Sequence, residues 1–265
     1  MNDKHEPVSA PLIFDSHAHY ESGEFDQDRE ALLSKTLPEA GVCGVINMGS
    51  DLDTCYKTLA LTEVYDYFYG AVGIHPESAK ELPEDYLERL RSLLRHPKIV
   101  AVGEIGLDYH WLDACPKPRQ QEVFRRQLAL ANETGKPVVI HDREAHLDVM
   151  TLLREYRPRG VMHCFSGSVE LSREVVQLGL YIGLGGVVTF KNAKHAVAVA
   201  ADLPLDRLLL ETDAPYMAPE PRRGRRNDSS LIRYIAQRIA DIRHIPVDTV
   251  YNAAAANTRL LFGIS

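Results

Sequence analysis

Among its 265 residues the chain has only four cysteines and one tryptophan. Cys43, Cys55, Cys115 and Cys164 lie far apart, with no CxxC pair. That spacing signals neither a disulfide framework nor a thiolate zinc site, so reduced thiols are expected. No window reaches the roughly 18 continuous apolar residues of a membrane span. The opening stretch MNDKHEPVSAPLIF lacks the basic start and apolar core of a signal peptide. A cytoplasmic protein with a loose segment over 1–11, no membrane association and no obligate protein partner is the expectation. Positive charge is also short, because 30 Lys and Arg face 37 Asp and Glu, a net charge of −7. A surface that coats nucleic acid as a whole is thereby excluded, and any polyanion must be gripped locally. No GxGxxG or GxxxxGK[ST] loop follows the first apolar run, which counts against a nucleotide-binding doubly wound sheet. Low-complexity tracts are absent as well.

What is present is a rhythm. Short apolar runs recur and each ends in polar or glycine residues: LIFDSH, CGVINMGS, YGAVGIHP, VAVGEIGLD, PVVIHDR, GVMHCFSG, YIGLGG and RLLLETDAP. Between them lie stretches with helical spacing of apolar residues, such as 29–41, 84–97, 119–135 and 170–180. From Ser16 to Glu211 the strand ends recur about every 28 residues, the length of one strand-plus-helix unit. Near-continuous apolar strands alternating with helices imply a parallel sheet covered by helices. Eight units fit a closed (β/α)₈ TIM barrel of about 250 residues better than an open sheet. Two further helices are expected after the eighth strand, over 231–244 and 246–263, with Pro246 at a helix start. The chain is read as a single domain over 1–265, without a linker.

In such a barrel the reacting groups stand at the C-terminal ends of the strands. The first strand ends in His17 and His19, the third in His75, the fourth in Glu104, the fifth in His141, the sixth in His163 and the eighth in Glu211 and Asp213. His17 and His19 are one residue apart, so the period of a strand points them the same way, with Cα atoms roughly 6.6 Å apart. A lone histidine at a strand end is more often a capped or surface residue. Six strands delivering such groups to one mouth are harder to explain without a metal. Imidazoles mixed with carboxylates suit Zn²⁺, Mn²⁺, Fe²⁺, Ni²⁺ or Co²⁺, with Mg²⁺ less natural. One tetrahedral ion needs three protein ligands and a water, so this set suits two divalent metal ions, and Glu104 is the carboxylate that could span them. Metal-assisted hydrolysis is the reaction class that follows.

The blocks FDSHAHY, VGIHPE, VGEIGLDYH, PVVIHDRE, MHCFSG, YIGLGG and LLLETDAPYMAP resemble the signature blocks of the TatD family of metal-dependent deoxyribonucleases, within the amidohydrolase-like superfamily. The resemblance runs in order from residue 14 to about 263. It implies His17 and His19 on one metal with Asp213, Glu104 as the bridge, and His141 and His163 on the other metal. It also implies that His75 and Glu211 line the substrate pocket. Where many relatives read Asn-Glu-Pro after the basic loop, this chain has Asn227, Asp228 and Ser229. Glu104 stands where other branches of the superfamily use a carboxylated lysine.

The same two-metal chemistry serves phosphodiesters, esters, lactones and amides, so a grip on the substrate must decide. The loop after the eighth strand reads RRGRRN, with Arg222, Arg223, Arg225 and Arg226, and arginine forks pair bidentately with phosphate. Arg226 is the expected direct contact; a solvated basic loop is the competing reading. Tyr20, Tyr109, Trp111, Phe165 and Tyr216 near strand ends could stack on unpaired bases. Together these favour a single-stranded DNA end as substrate, removed one nucleotide at a time, with Asp213 and Glu104 as catalytic groups. The alternative is a non-nuclease metallohydrolase of the same barrel acting on a small ester, amide or aminoacyl bond.

Overall fold

Each of the apolar runs becomes a strand, and the strands lie side by side in chain order, every neighbouring pair parallel. The computed structural model describes residues 13–265, so the segment 1–11 expected to be loose lies outside the described residues. The strands are β1 (Ile13–Ala18), β2 (Val42–Met48), β3 (Phe68–Val72) and β4 (Ile99–Asp108). They continue as β5 (Val138–Arg143), β6 (Gly160–Met162), β7 (Tyr181–Leu184) and β8 (Leu208–Leu210). Helices including Leu52–Val64, Lys117–Thr134 and His146–Tyr156 cross between them. Ile232–Arg243 and Val247–Phe262 follow β8. The (β/α)₈ barrel with added C-terminal helices is the fold observed. The first crossover is helical over the expected stretch, but Leu32–Thr36 winds as a wider π-turn just ahead of Pro38, which has no N–H to continue an α-helical ladder.

Alternation along the strands sorts apolar side chains into two layers. Val45, Val72, Ile140, Met162 and Leu210 pack outward against the helices. Ile46, Ala71, Ala101, Val139, Val161, Tyr181 and Leu209 fill the inside. Leu261 and Phe262 from the last helix, with Ile264 just past its end, join the inner cluster with Phe14, and Phe14 stacks on Tyr69 with ring centroids 6.3 Å apart. One end of the barrel is thus plugged by hydrocarbon, and polar chemistry is left to the other mouth. No described helix is long and apolar enough to cross a membrane.

The barrel closes differently from the way it is built. Between β8 and β1 the described residues show one isolated bridge, Ala18 with Ala214, in place of a ladder. Side chains complete the seam. Asp15 Oδ1 accepts from Thr212 N–H at 3.1 Å and its Oδ2 from the Thr212 and Ser229 hydroxyls at 2.6 Å each. Ser16 Oγ donates to Leu210 O at 3.0 Å, and Asp213 N–H to His17 O at 2.9 Å. The register also slips at four places, two of them between Asp15 and Ala18 in β1 and between Val102 and Ile105 in β4. Such irregularities re-aim side chains beside active sites, and these two enclose His17 and Glu104.

Candidate metal centre

On β5, β6 and β8 the inward alternation runs on without interruption: Val139 is followed by His141, Val161 by His163, and Leu209 by Glu211. The slips in β1 and β4 bring His17 and Glu104 to the same place. His17, His19, Glu104, His163 and Glu211 are all buried. Asp213 sits just past β8 with a left-handed backbone, φ 59°, a conformation that an Asp tolerates and most residues avoid. Gly183 on β7 leaves the room that Glu211 occupies, since a Cβ there would overlap the Glu211 carboxylate.

Two donor sets meet at Glu104. Around its Oε2 stand His17 Nε2 at 3.4 Å and His19 Nε2 at 3.5 Å. The two imidazole nitrogens face each other at 3.2 Å, and Asp213 Oδ1 lies 3.6 Å from both. Around Glu104 Oε1 stand His163 Nε2 at 2.7 Å, His141 Nδ1 at 2.9 Å and His75 Nε2 at 3.6 Å. His141 Nδ1 and His163 Nε2 are 3.3 Å apart. Donors bound at roughly 2.0–2.1 Å to one tetrahedral ion lie about 3.4 Å from each other, so these spacings fit ligation. Three triads here hold donor atoms within 4.8 Å of one another: His17–His19–Glu104, His75–Glu104–His141 and His17–His163–Glu211.

The charge balance also fits a cation. Burial opposes ionisation of Glu104, yet the imidazoles of His163, His75, His17 and His141 hold its carboxyl well below the usual range. Burial opposes charge on His141 too, but Asp108 and Glu104 push it up to about 10. His17 and His75 go the other way, to about 4 and about 3, through burial and the neighbouring imidazoles. Glu211 is pushed up to about 8 by burial. Its Oε1 accepts from Cys164 N–H, while its Oε2 has no hydrogen-bond partner among the described residues.

Carboxylates not singled out in the sequence hold the far nitrogens of the rings. Asp108 Oδ2 lies 2.9 Å from His141 Nε2, and Glu21 Oε1 lies 3.4 Å from His19 Nδ1. Asn47 fixes Glu21 in turn, donating to its Oε2 at 2.8 Å. Such partners fix the tautomer and orientation of a ligating imidazole.

The structure brings His17, His19, His75, Glu104, His141, His163, Glu211 and Asp213 together, and it leaves Arg226 out. Both terminal nitrogens of Arg226 bond the carboxylate of Asp28, at 2.7 and 2.6 Å, and Nη1 also donates to Glu24 O. Its guanidinium lies over the Phe25 ring. The phosphate contact expected of Arg226 is therefore taken up by an internal pair. Arg223 is spread over Phe190. Tyr20 and Phe165, expected as stacking platforms, are buried, and Tyr20 spends its hydroxyl on Ser229. Trp111 and Tyr216 are exposed. Cys164, next to His163, lies beyond β6 in a left-handed turn, φ 43°.

A β/α barrel that gathers imidazoles around one buried carboxylate at its open mouth is the arrangement of a metal-dependent hydrolase. The chain belongs to the family described as TatD related DNase, whose model matches residues 14–263. The uncharacterized metal-dependent hydrolase YabD of Bacillus subtilis is 41% identical over 257 residues, covering 96% of this chain and 100% of that protein. The 3'-5' ssDNA/RNA exonuclease TatD of Enterobacter lignolyticus is 34% identical over 263 residues, covering 96% and 100%. The crystal structure of YjjV, a TatD homologue from Escherichia coli, superposes with a TM-score of 0.89 at 36% identity, covering 96% of this chain and 98% of that one.

Proposed function

We propose that the protein is a two-metal deoxyribonuclease that removes nucleotides from single-stranded DNA ends in the cytoplasm. The observation that carries this reading is the division of Glu104, whose Oε2 faces His17, His19 and Asp213 while its Oε1 faces His141 and His163. In this reading each set would hold one divalent ion, Zn²⁺, Mn²⁺ or Mg²⁺, with Glu104 the carboxylate shared between them. Bound there, the ions supply Lewis acidity to a phosphoryl oxygen and acidify a water. Asp213 presents Oδ1 to His17 and His19, which leaves Oδ2 to accept the proton of the attacking water. His75 and Glu211 line the pocket. His75 is held neutral, and its Nδ1 accepts from Glu77 N–H at 3.3 Å, so its Nε2 is turned toward the cluster. A single-stranded nucleic acid agrees with what the Enterobacter lignolyticus relative is named for.

The test joins elemental analysis of protein purified without chelators to a digest of end-labelled single- and double-stranded DNA. About two divalent ions per chain and stepwise shortening of the single strand are expected. Trace metal with no gain of activity on adding Mg²⁺, Mn²⁺ or Zn²⁺ overturns the metal assignment. Intact DNA beside rapid turnover of a small ester, amide or aminoacyl compound overturns the substrate and leaves the hydrolase.

A further inference from the structure

With Arg226 paired to Asp28, Arg143 is a free cation beside the metal-ligating strands at the open mouth. It ends β5 two residues past His141, so the alternation of Val139, His141 and Arg143 places it on the inward side at the rim. It is exposed, and among the described residues its guanidinium meets no carboxylate. Its charge is felt at Glu77 in the turn after β3 and at Cys164 in the turn after β6, which sets it above the cluster. Its register partner across the sheet is Asp108. Asp108 cannot neutralise it, because Oδ2 holds His141 and Oδ1 accepts from the N–H groups of His110 and Trp111 at 3.0 and 3.2 Å.

The neighbour of Arg143 is the ring of Trp111, with the guanidinium carbon 5.9 Å from its centroid. Trp111 is the one tryptophan of the chain and is 48% exposed. His110 meets it edge-on, centroids 4.8 Å apart and planes at 88°. Leu112 beside it is also exposed. A large aromatic ring left in water costs hydration free energy that a stacked base would recover. Asp108 ties the Trp111 backbone to the strand end that holds His141.

Resting on the phosphodiesterase reading above, we propose that Arg143 and Trp111 form a nucleotide subsite on the rim between β4 and β5. Arg143 grips a backbone phosphate beside the scissile one, and Trp111 stacks on the adjoining base. Guanidinium forks suit phosphate oxygens, and base–aromatic stacking needs no particular sequence.

The lone tryptophan makes the subsite its own reporter. A phosphorothioate-linked oligothymidine, which resists cleavage, is titrated into the metal-loaded protein while Trp111 fluorescence and the anisotropy of an end label are followed. Saturable quenching with the same midpoint as the anisotropy change is expected. Trp111→Ala should weaken binding roughly 5- to 150-fold, the range of one stacked base. Arg143→Gln should weaken it and reduce the slope of log affinity against log salt by about 0.7, the share of one phosphate contact on a single strand. Arg143→Lys should restore the slope but only part of the affinity. Binding without any change in Trp111 fluorescence, or Arg143→Gln keeping the parent's affinity and slope, overturns the subsite even if DNA is cut. Quenching and both losses in a protein that cuts no DNA keep the subsite and remove the nuclease.

Discussion

Glu104 is a buried anion ringed by imidazoles, and without an ion protons supply the balancing charge. Burial works against the charged forms of His19, His141 and His163. For His19 the carboxylates of Asp213, Glu104 and Glu21 outweigh it, and for His141 those of Asp108 and Glu104 do. Glu104, Glu211 and Asp213 raise His163 likewise. These imidazoles hold their protons more tightly than free histidines do, and an ion must displace those protons to bind. Because the histidines are shifted upward, the competition eases as pH rises, so metal affinity should increase from pH 6 to 8 and binding should release protons. Calorimetric titrations in two buffers of unlike ionisation enthalpy measure this directly, and a pH-independent affinity with no proton release contradicts it. Asp213 carries the second expectation. Asp213→Asn keeps the shape and removes the base, so turnover should fall by at least ~10²-fold while oligonucleotide binding is retained. Single-turnover kinetics separate the two, and near-normal turnover removes the assignment.

The strands explain why most of this cluster was legible in the sequence. An inward apolar residue two places before a histidine or carboxylate, as in Val139–His141, Val161–His163 and Leu209–Glu211, marks a donor by simple alternation. His17 and Glu104 break that rule and lie inside register slips, and only their place at the ends of apolar runs revealed them. Asp108 carried a signal that went unused. It stands four residues after Glu104 at the end of the same strand, where its carboxylate holds His141. Glu21 and Asn47 had none, because their pairing depends on how the turn after β1 meets β2. Arg226 shows a related limit: charge pattern places a cation in the loop after β8 but cannot show that Asp28, far away in the chain, pairs with it. The reach of Asp108 can be measured. Asp108→Ala should weaken metal retention roughly 10- to 100-fold, as loss of an orienting partner does elsewhere. Activity titrated against free Mn²⁺ in metal buffers gives the shift, and the half-saturating concentration of the parent in the variant refutes the role.

Closure of the barrel ties stability to chemistry, since the seam between β8 and β1 carries His17, His19 and Asp213 on its two sides. Its contacts join residues 197 positions apart, beyond the reach of any local pattern in the sequence. Asp15 bears the largest share, accepting from the backbone N–H groups of His17 and Thr212 and from the hydroxyls of Thr212 and Ser229. Burial pushes its carboxyl up to about 6 against those four bonds, so at neutral pH it is ionised at a cost that the bonds offset only in part. Asp15→Ala strands buried donors, and a loss of about 3 kcal/mol is expected, which for a domain of this length lowers Tm by roughly 6–12 °C. The sign with pH follows from the raised value. A carboxyl whose folded pKa of about 6 exceeds its unfolded one stabilises more when protonated, and that stability is lost as pH rises through the folded value. The deficit of Asp15→Ala relative to the parent should therefore be larger at pH 5 than at pH 7. The slackened seam should also loosen the ion between His17, His19 and Asp213. Urea denaturation of parent and variant at the two pH values, with metal content measured on the same samples, decides the matter: equal midpoints and equal metal content would mean that the seam is closed by its backbone bonds alone.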